Sequence, residues 1–173
     1  ALGCKSATAD VTITEPAELT ADASIDPFTC NTTNTKEPKN VTVTGTGGVL
    51  PYSYSFNGGS YGPSNTLEVV DNTKTQTVRY SIMDGNGCTT AVKTLTISPL
   101  NPPKIAKVDA TVIYCDPLAS RTSTATITLA AGSGTYTIVS GPVVNTTGAV
   151  NGSFTGLTAG NYVFRVTNAN GCY

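Results

Sequence analysis

The stretch Thr77-Val78-Arg79-Tyr80-Ser81-Ile82-Met83-Asp84-Gly85-Asn86-Gly87-Cys88 indicates the fold of this 173-residue chain. Val78, Tyr80 and Ile82 alternate with polar residues, and this period of two predicts a β-strand with one face toward a core. Asp84-Gly85-Asn86-Gly87 is a tight-turn sequence, because Asn and Gly accept the positive φ that a hairpin demands. The stretch therefore predicts a strand and a hairpin turn that leads into a last strand.

The same stretch recurs at a fixed distance along the chain. Asn161–Cys172 repeats the apolar stripe and the turn, and Cys4, Cys88 and Cys172 each follow a glycine at intervals of 84 residues. A fixed period of this size is typical of a tandem array of similar modules. Short Thr- and Val-rich segments bounded by turn residues fill both copies. The sequence therefore predicts an all-β protein of tandem, immunoglobulin-like antiparallel β-sandwich modules with a period of 84 residues.

Proline-rich junctions near residues 14–17 and 98–103 mark the predicted module boundaries, since proline fixes φ and stiffens a linker. Residues 1–15 are then the last strand of a preceding module, 16–99 a complete module, and 100–173 a second module that lacks its final strand. A sandwich without an edge strand leaves backbone donors and acceptors unpaired. We expect continuation of the chain, or a strand from elsewhere, to fill that gap. The predicted strands are Ala9–Thr14, Leu19–Ile25, Asn40–Thr46, Tyr52–Phe56, Thr66–Val70, Thr77–Met83, Ala91–Ile97, Ala106–Tyr114, Ser123–Leu129, Thr135–Val139, Pro142–Asn145, Ala149–Phe154 and Tyr162–Thr167.

Composition argues against several classes of function. The 10 Lys and Arg residues balance 11 Asp and Glu residues without a long basic run, so a nucleic acid partner is not expected. No apolar segment reaches the roughly 18 residues of a membrane span. Histidine is absent, which excludes Ser-His-Asp and Cys-His pairs and His-containing metal sites from this sequence. Because the acidic residues also stand mostly singly, we expect no enzyme activity.

The five cysteines recur at matched positions, and no histidine is present to complete a common zinc site. This pattern predicts disulfides and an oxidising compartment. Equivalent cysteines should pair equivalently, which favours Cys30–Cys88 and Cys115–Cys172, with Cys4 bonded to an upstream partner. Two other periodic sets stay open. One is Cys4–Cys30 with Cys88–Cys115, and the other contains Cys30–Cys172, which ties one module's first loop to the next module's last turn.

Two small groups of residues are candidates for ligand contacts. Asp84, Asn86 and Asp71 offer oxygen atoms of the kind that bind calcium, although neither turn clusters carboxylates and the second module has asparagine in place of Asp84. No cofactor is expected, and calcium is the lesser alternative. Tyr61 lies in a glycine-rich loop near Asn57, and this pair is the candidate for contact with a glycan or a protein.

The second half of the argument is a resemblance. The run Gly47–Phe56, followed by Tyr80–Cys88 and Leu95-Thr96-Ile97, resembles the SprB-type repeat of very large cell-surface adhesins of gliding Bacteroidetes. Leu157–Cys172 fits the later half of the same pattern, whereas Phe56 stands where the family usually has tryptophan. These repeats are similar to PKD and immunoglobulin-like sandwiches. The resemblance implies a PKD-like module, export through the type IX secretion system, a location on the bacterial outer surface, and a role in adhesion or gliding motility.

The expected function is a structural stalk or filament of a secreted cell-surface adhesin, since arrays of similar modules more often act as spacers than as catalysts. Expected partners are the neighbouring modules of the same chain and surface polysaccharide or other surface proteins. A glycan- or protein-binding β-sandwich module is one alternative. A noncatalytic accessory region of a secreted hydrolase is another.

Overall fold

A computed structural model describes residues 9–113, 121–149 and 151–173, with the backbone alone at residues 146–148. Every regular element in this part of the chain is a β-strand. The strands are β1 (Thr20–Ile25), β2 (Lys39–Thr46), β3 (Ser53–Phe56), β4 (Thr66–Val69), β5 (Gln76–Met83), β6 (Lys93–Ile97), β7 (Lys104–Ala110), β8 (Ser123–Ala131), β9 (Thr135–Ser140), β10 (Asn145–Ala149), β11 (Ser153–Leu157) and β12 (Val163–Thr167). Thr and Val recur in them because branched side chains suit a pleated surface. The predicted all-β class is confirmed.

The strands form four three-stranded sheets in the orders β1-β2-β4, β3-β5-β6, β11-β8-β7 and β10-β9-β12. Antiparallel pairing joins β3 to β5 and β9 to β12, and β8 pairs antiparallel with both β7 and β11. This arrangement of antiparallel sheets is consistent with β-sandwiches. No helix in the described residues is long and apolar enough to cross a membrane.

The described chain forms two compact units. The first comprises the described residues as far as Ser24 together with Thr42–Leu67 and Val78–Leu95, and the second comprises Ile25–Val41, Glu68–Thr77 and the described residues from Thr96 to Tyr173. The module boundaries at 15/16 and 99/100 stay predictions.

The predicted apolar stripe lies in the core of the first unit. Tyr80 and Ile82 of β5 are buried and pack with Ala21 of β1 and Val43 of β2. Strands of two sheets therefore enclose one core, and burying each large aliphatic side chain stabilises it by about 1.5–3 kcal/mol. In the second unit the core residues are Ala125, Ile127, Ile138, Phe154, Leu157 and Val166.

Three predicted strands differ from the observed ones. Ala9–Thr14 belongs to no strand among the described residues, because no neighbouring strand pairs with it and a lone strand has no stability of its own. The strands predicted at Pro142–Asn145 and Ala149–Phe154 are β10 and β11, which begin three and four residues later. Pro142 offers no N–H to a ladder and follows Gly141 at φ 146°, so this segment forms a bend before β10 starts.

Sheet register also shows that the spacing between equivalent positions varies. Ile82 of β5 faces Tyr54 of β3, whereas Val166 of β12, 84 residues later, faces Tyr136 of β9. Tyr136 therefore occupies the place of Tyr54, not that of Tyr52. The connection before β9 is shorter than the one before β3, because the second copy lacks the Gly-Gly-x-x-Pro-Tyr segment.

Candidate functional site

A hairpin at Thr29–Glu37 and the segment Asn168–Tyr173 meet in the second compact unit, and we call the two together the Cys30–Cys172 clamp. Cys30 and Lys36 pair across the hairpin in an antiparallel bridge. At its tip Asn31 Oδ1 accepts the backbone N–H groups two and four residues later, at 3.0 and 2.9 Å. Asn34 adopts φ 61°, a left-handed conformation that asparagine tolerates better than most residues.

A disulfide bond joins Cys30 to Cys172, with the two Cα atoms 4.9 Å apart and 142 residues between them in sequence. The predicted pairings Cys30–Cys88 and Cys115–Cys172 are therefore wrong, and the alternative that contained Cys30–Cys172 is the one observed. The physical reason is proximity, since the hairpin lies against the turn that ends in Cys172 while Cys88 is an exposed free thiol. Cys4 and Cys115 lie outside the described residues.

Hydrogen bonds on both sides of the disulfide hold the same two segments together. The Cys30 N–H donates to the Asn170 carbonyl at 2.9 Å. The Asn34 side chain pairs with the backbone of Tyr173, its Nδ2 donating to the carbonyl oxygen and its Oδ1 accepting the N–H at 2.8 Å. The Arg165 guanidinium lies 3.9 Å from the centre of the Tyr173 ring, a cation–π contact. The clamp is thus covalent at its centre and hydrogen-bonded on either side.

Gly171 is required at the closest approach of the two segments. Its φ is 78°, which an L side chain rarely adopts, and a Cβ there would lie 2.8 Å from the Cys30 carbonyl oxygen. The Gly-Cys dipeptide noted in the sequence therefore has a structural basis here. Glycine lets the backbone turn and lets the hairpin come close enough for the sulfur atoms to bond.

The turn inside the clamp has a counterpart in the first unit. Asp84 Oδ1 accepts the N–H groups two and four residues later, at 3.0 and 2.8 Å, and Asn168 Oδ1 accepts the equivalent pair at 3.0 and 3.0 Å. The remaining side-chain atoms face opposite partners. Asp84 Oδ2 accepts the Val49 N–H at 3.0 Å, whereas Asn168 Nδ2 donates to the Asn101 carbonyl at 3.2 Å. The exchange of aspartate for asparagine thus follows the exchange of a donor for an acceptor.

Asp84, the first calcium candidate, is buried and accepts backbone N–H groups at both carboxylate oxygens. Burial alone would raise the pKa of Asp84, and hydrogen bonds from the amides of Val49, Cys88, Asn86 and Gly87 hold it below its ordinary value. Donors aimed at both oxygens leave this carboxylate poorly placed to face a cation. Asn86 itself is exposed.

Asp71, the other calcium candidate, forms an ion pair with the base of the hairpin. Its fully buried side chain lies 2.5 Å from Lys36 Nζ through Oδ2, and its Oδ1 accepts the N–H groups of Thr73 and Leu100 at 3.1 and 3.3 Å. Burial alone would raise the pKa of Asp71, and the Lys36 ammonium together with these amides holds it below its ordinary value. Asp71 therefore anchors Lys36 and, through it, the hairpin of the clamp.

Among the described residues, no three His, Cys, Asp or Glu side chains converge as a metal site requires. The calcium role of Asp84, Asn86 and Asp71 stays a prediction that this geometry does not support.

The two predicted ligand-contact residues are engaged within the first unit. The Tyr61 ring is 37% exposed, and its hydroxyl lies 3.0 Å from Ser81 Oγ. Asn57 turns the chain at φ 53°, and its Oδ1 accepts the Arg79 N–H at 3.0 Å. Both side chains therefore connect the loop to β5, and their contact with a glycan or protein stays a prediction.

Sequence reasoning missed the residues that surround the disulfide, namely Asn31, Asn34, Lys36, Arg165 and Tyr173. One local signal was present, because Asn31-Thr32-Thr33-Asn34 is a run of turn-forming residues directly after a cysteine. Nothing local marked the partners of Lys36 or Arg165, which are distant in sequence.

No protein-family model matches the chain, and a search of curated proteins finds no match.

Proposed function

We propose that this chain is a structural segment, a stalk or filament, of a large secreted adhesin on a bacterial cell surface. The clamp is the observation that carries the proposal. Because the bond joins residues 142 apart, tension applied at the two ends of the chain passes from Cys30 to Cys172 through sulfur. The sheets formed by the residues between them bear little of that load.

The polar residues of the described region support the same proposal. The buried carboxylates of Asp71 and Asp84 bind backbone amides and, at Asp71, an ammonium group, so they hold turns and strands in place. A bond of this kind is also compatible with an oxidising extracellular environment. The more specific elements, namely an SprB-type repeat of PKD-like fold, export through the type IX system and a part in gliding motility, rest on the sequence resemblance.

Single-molecule pulling from the two termini tests the load-bearing role. The oxidised chain should release only the segments outside the clamp, since the disulfide withholds 142 residues, or about 500 Å of extended chain at about 3.5 Å per residue. A reductant, or the double variant Cys30→Ala/Cys172→Ala, should add that length. Release of the full contour length by the oxidised chain would contradict the proposal.

Surface display is tested on cells of the source organism. A brief protease treatment of intact cells should release peptides of this segment, and deletion of its gene should reduce attachment of the cells to a surface. Peptides found only after cell lysis, together with unchanged attachment, would contradict a role as a cell-surface adhesin.

A further inference from the structure

Two strands that hold equivalent places in their sheets differ in their neighbours. β5 lies between β3 and β6, whereas β12 has β9 on one side and ends the sheet on the other, within the described residues. The two strands correspond because each leads into a turn with the same hydrogen bonds, at Asp84 and at Asn168. β12 therefore lacks the neighbour that β6 provides for β5.

Burial of the facing sheet shows the effect of this difference. Ala21 of β1 is 1% exposed, packs in a cluster that includes Leu95 of β6, and accepts a hydrogen bond from Lys93 Nζ at its carbonyl. The corresponding residue 84 positions later, Ile105 of β7, is 38% exposed, and no residue of β7 is buried. The first core is covered by β6 at this edge, and the second is open.

An apolar groove of about 230 Å³ occupies the open position. It lies between the exposed Ile105 of β7 and the β12 residues Val163, Phe164 and Val166. A strand beside β12 would place alternate side chains in this groove, as Leu95 and Ile97 of β6 place theirs in or beside the first core.

The same chain carries a strand-like segment without a sheet. Residues 9–14 are all exposed and belong to no strand, and Val11 and Ile13 are 83% and 90% exposed. Val11 and Ile13 stand 84 residues before Leu95 and Ile97 and share their alternation with threonine. The segment therefore has the apolar pattern of β6, the strand that β12 lacks.

We propose that Ala9–Thr14 of one copy adds as an antiparallel strand to β12 of a second copy, with Val11 and Ile13 in the groove. Backbone hydrogen bonds at the edge and burial of the two side chains supply the affinity. The donor and acceptor surfaces differ, so the contact is heterologous and the copies assemble head to tail into an open filament. This inference goes beyond the stalk proposal and stands or fails independently of it.

Analytical ultracentrifugation of the oxidised chain, with free thiols alkylated, tests the proposal. The mean mass should rise with concentration from the micromolar to the submillimolar range. The double variant Val11→Asp/Ile13→Asp should weaken association by at least about 100-fold, since two buried aliphatic contacts are lost. The control variant Val92→Asp, at another valine that is 56% exposed, should associate like the unmodified chain.

A complementary variant tests the acceptor. Appending the sequence of Thr90–Ile97 after Tyr173 supplies a β6-like strand in the same chain and should abolish self-association of that variant. Mixed with Val11→Asp/Ile13→Asp, which retains the acceptor, it should form a one-to-one dimer and nothing larger. A monomeric unmodified chain at submillimolar concentration would overturn the proposal, and so would association that survives Val11→Asp/Ile13→Asp. Either result leaves the pulling experiment on the clamp unaffected.

Discussion

Removal of the disulfide should destabilise the chain far more than removal of the exposed thiol. The double variant Cys30→Ala/Cys172→Ala opens a loop of 142 residues. In the chain-entropy model, closing a loop of this length raises the free energy of unfolding by about 5 kcal/mol. Cys88→Ala changes an exposed, unbonded cysteine and should alter the free energy of unfolding by less than about 0.5 kcal/mol.

Urea unfolding of the oxidised chain and both variants, monitored by circular dichroism, measures these differences. Each variant is compared at pH 7 without reductant, so that the disulfide of the parent persists. If the double variant loses no more stability than Cys88→Ala, the clamp does not restrict the unfolded chain. The load-bearing argument would then lose its thermodynamic basis.

Three further substitutions test the polar contacts. Lys36→Met should cost about 2 kcal/mol, less than for a fully buried pair because the Lys36 side chain is 33% exposed. Because the pKa of Asp71 is lowered by folding, its contribution is complete above the unfolded value of about 3.8 and is lost as the pH falls through the folded value. Acid titration of Lys36→Met should show a smaller loss, and an unchanged acid transition would refute this account. Asp84→Asn sets an amide NH₂ group near the Val49 N–H and should lower the calorimetric melting temperature; an equal or higher value would count against the donor match. Asn34→Gly keeps the positive φ and loses two hydrogen bonds, about 0.5–1 kcal/mol each in urea unfolding, and Asn34→Ala should cost about 1 kcal/mol more; equal losses would contradict the left-handed tip.

The strands were largely predictable because their signal is local. Alternation at Val78, Tyr80 and Ile82, followed by a turn that only Asn and Gly suit, predicts β5 and its hairpin without knowledge of the rest of the chain. The same alternation at Val11 and Ile13 predicts a strand that is not observed. Strand formation needs a neighbour, and the presence of a neighbour is a tertiary property that alternation does not report.

The disulfide was not predictable for a related reason. Cys88 and Cys172 follow turns of nearly the same sequence and the same hydrogen bonds, so nothing nearby distinguishes the bonded cysteine from the free one. The difference lies in which loop approaches each turn. Asp71 and Lys36 likewise meet across 35 residues, and the sequence marked Asp71 only as an acidic oxygen donor, without its partner.

Non-reducing peptide mapping tests the Cys30–Cys172 clamp most directly, because trypsin places the five cysteines on five different peptides. These peptides are Ala1–Lys5, Ser6–Lys36, Tyr80–Lys93, Val108–Arg121 and Val166–Tyr173. The account predicts that Ser6–Lys36 is recovered covalently joined to Val166–Tyr173 and separates from it on reduction. Recovery of Ser6–Lys36 joined to Tyr80–Lys93, or of all five peptides unlinked, would contradict it.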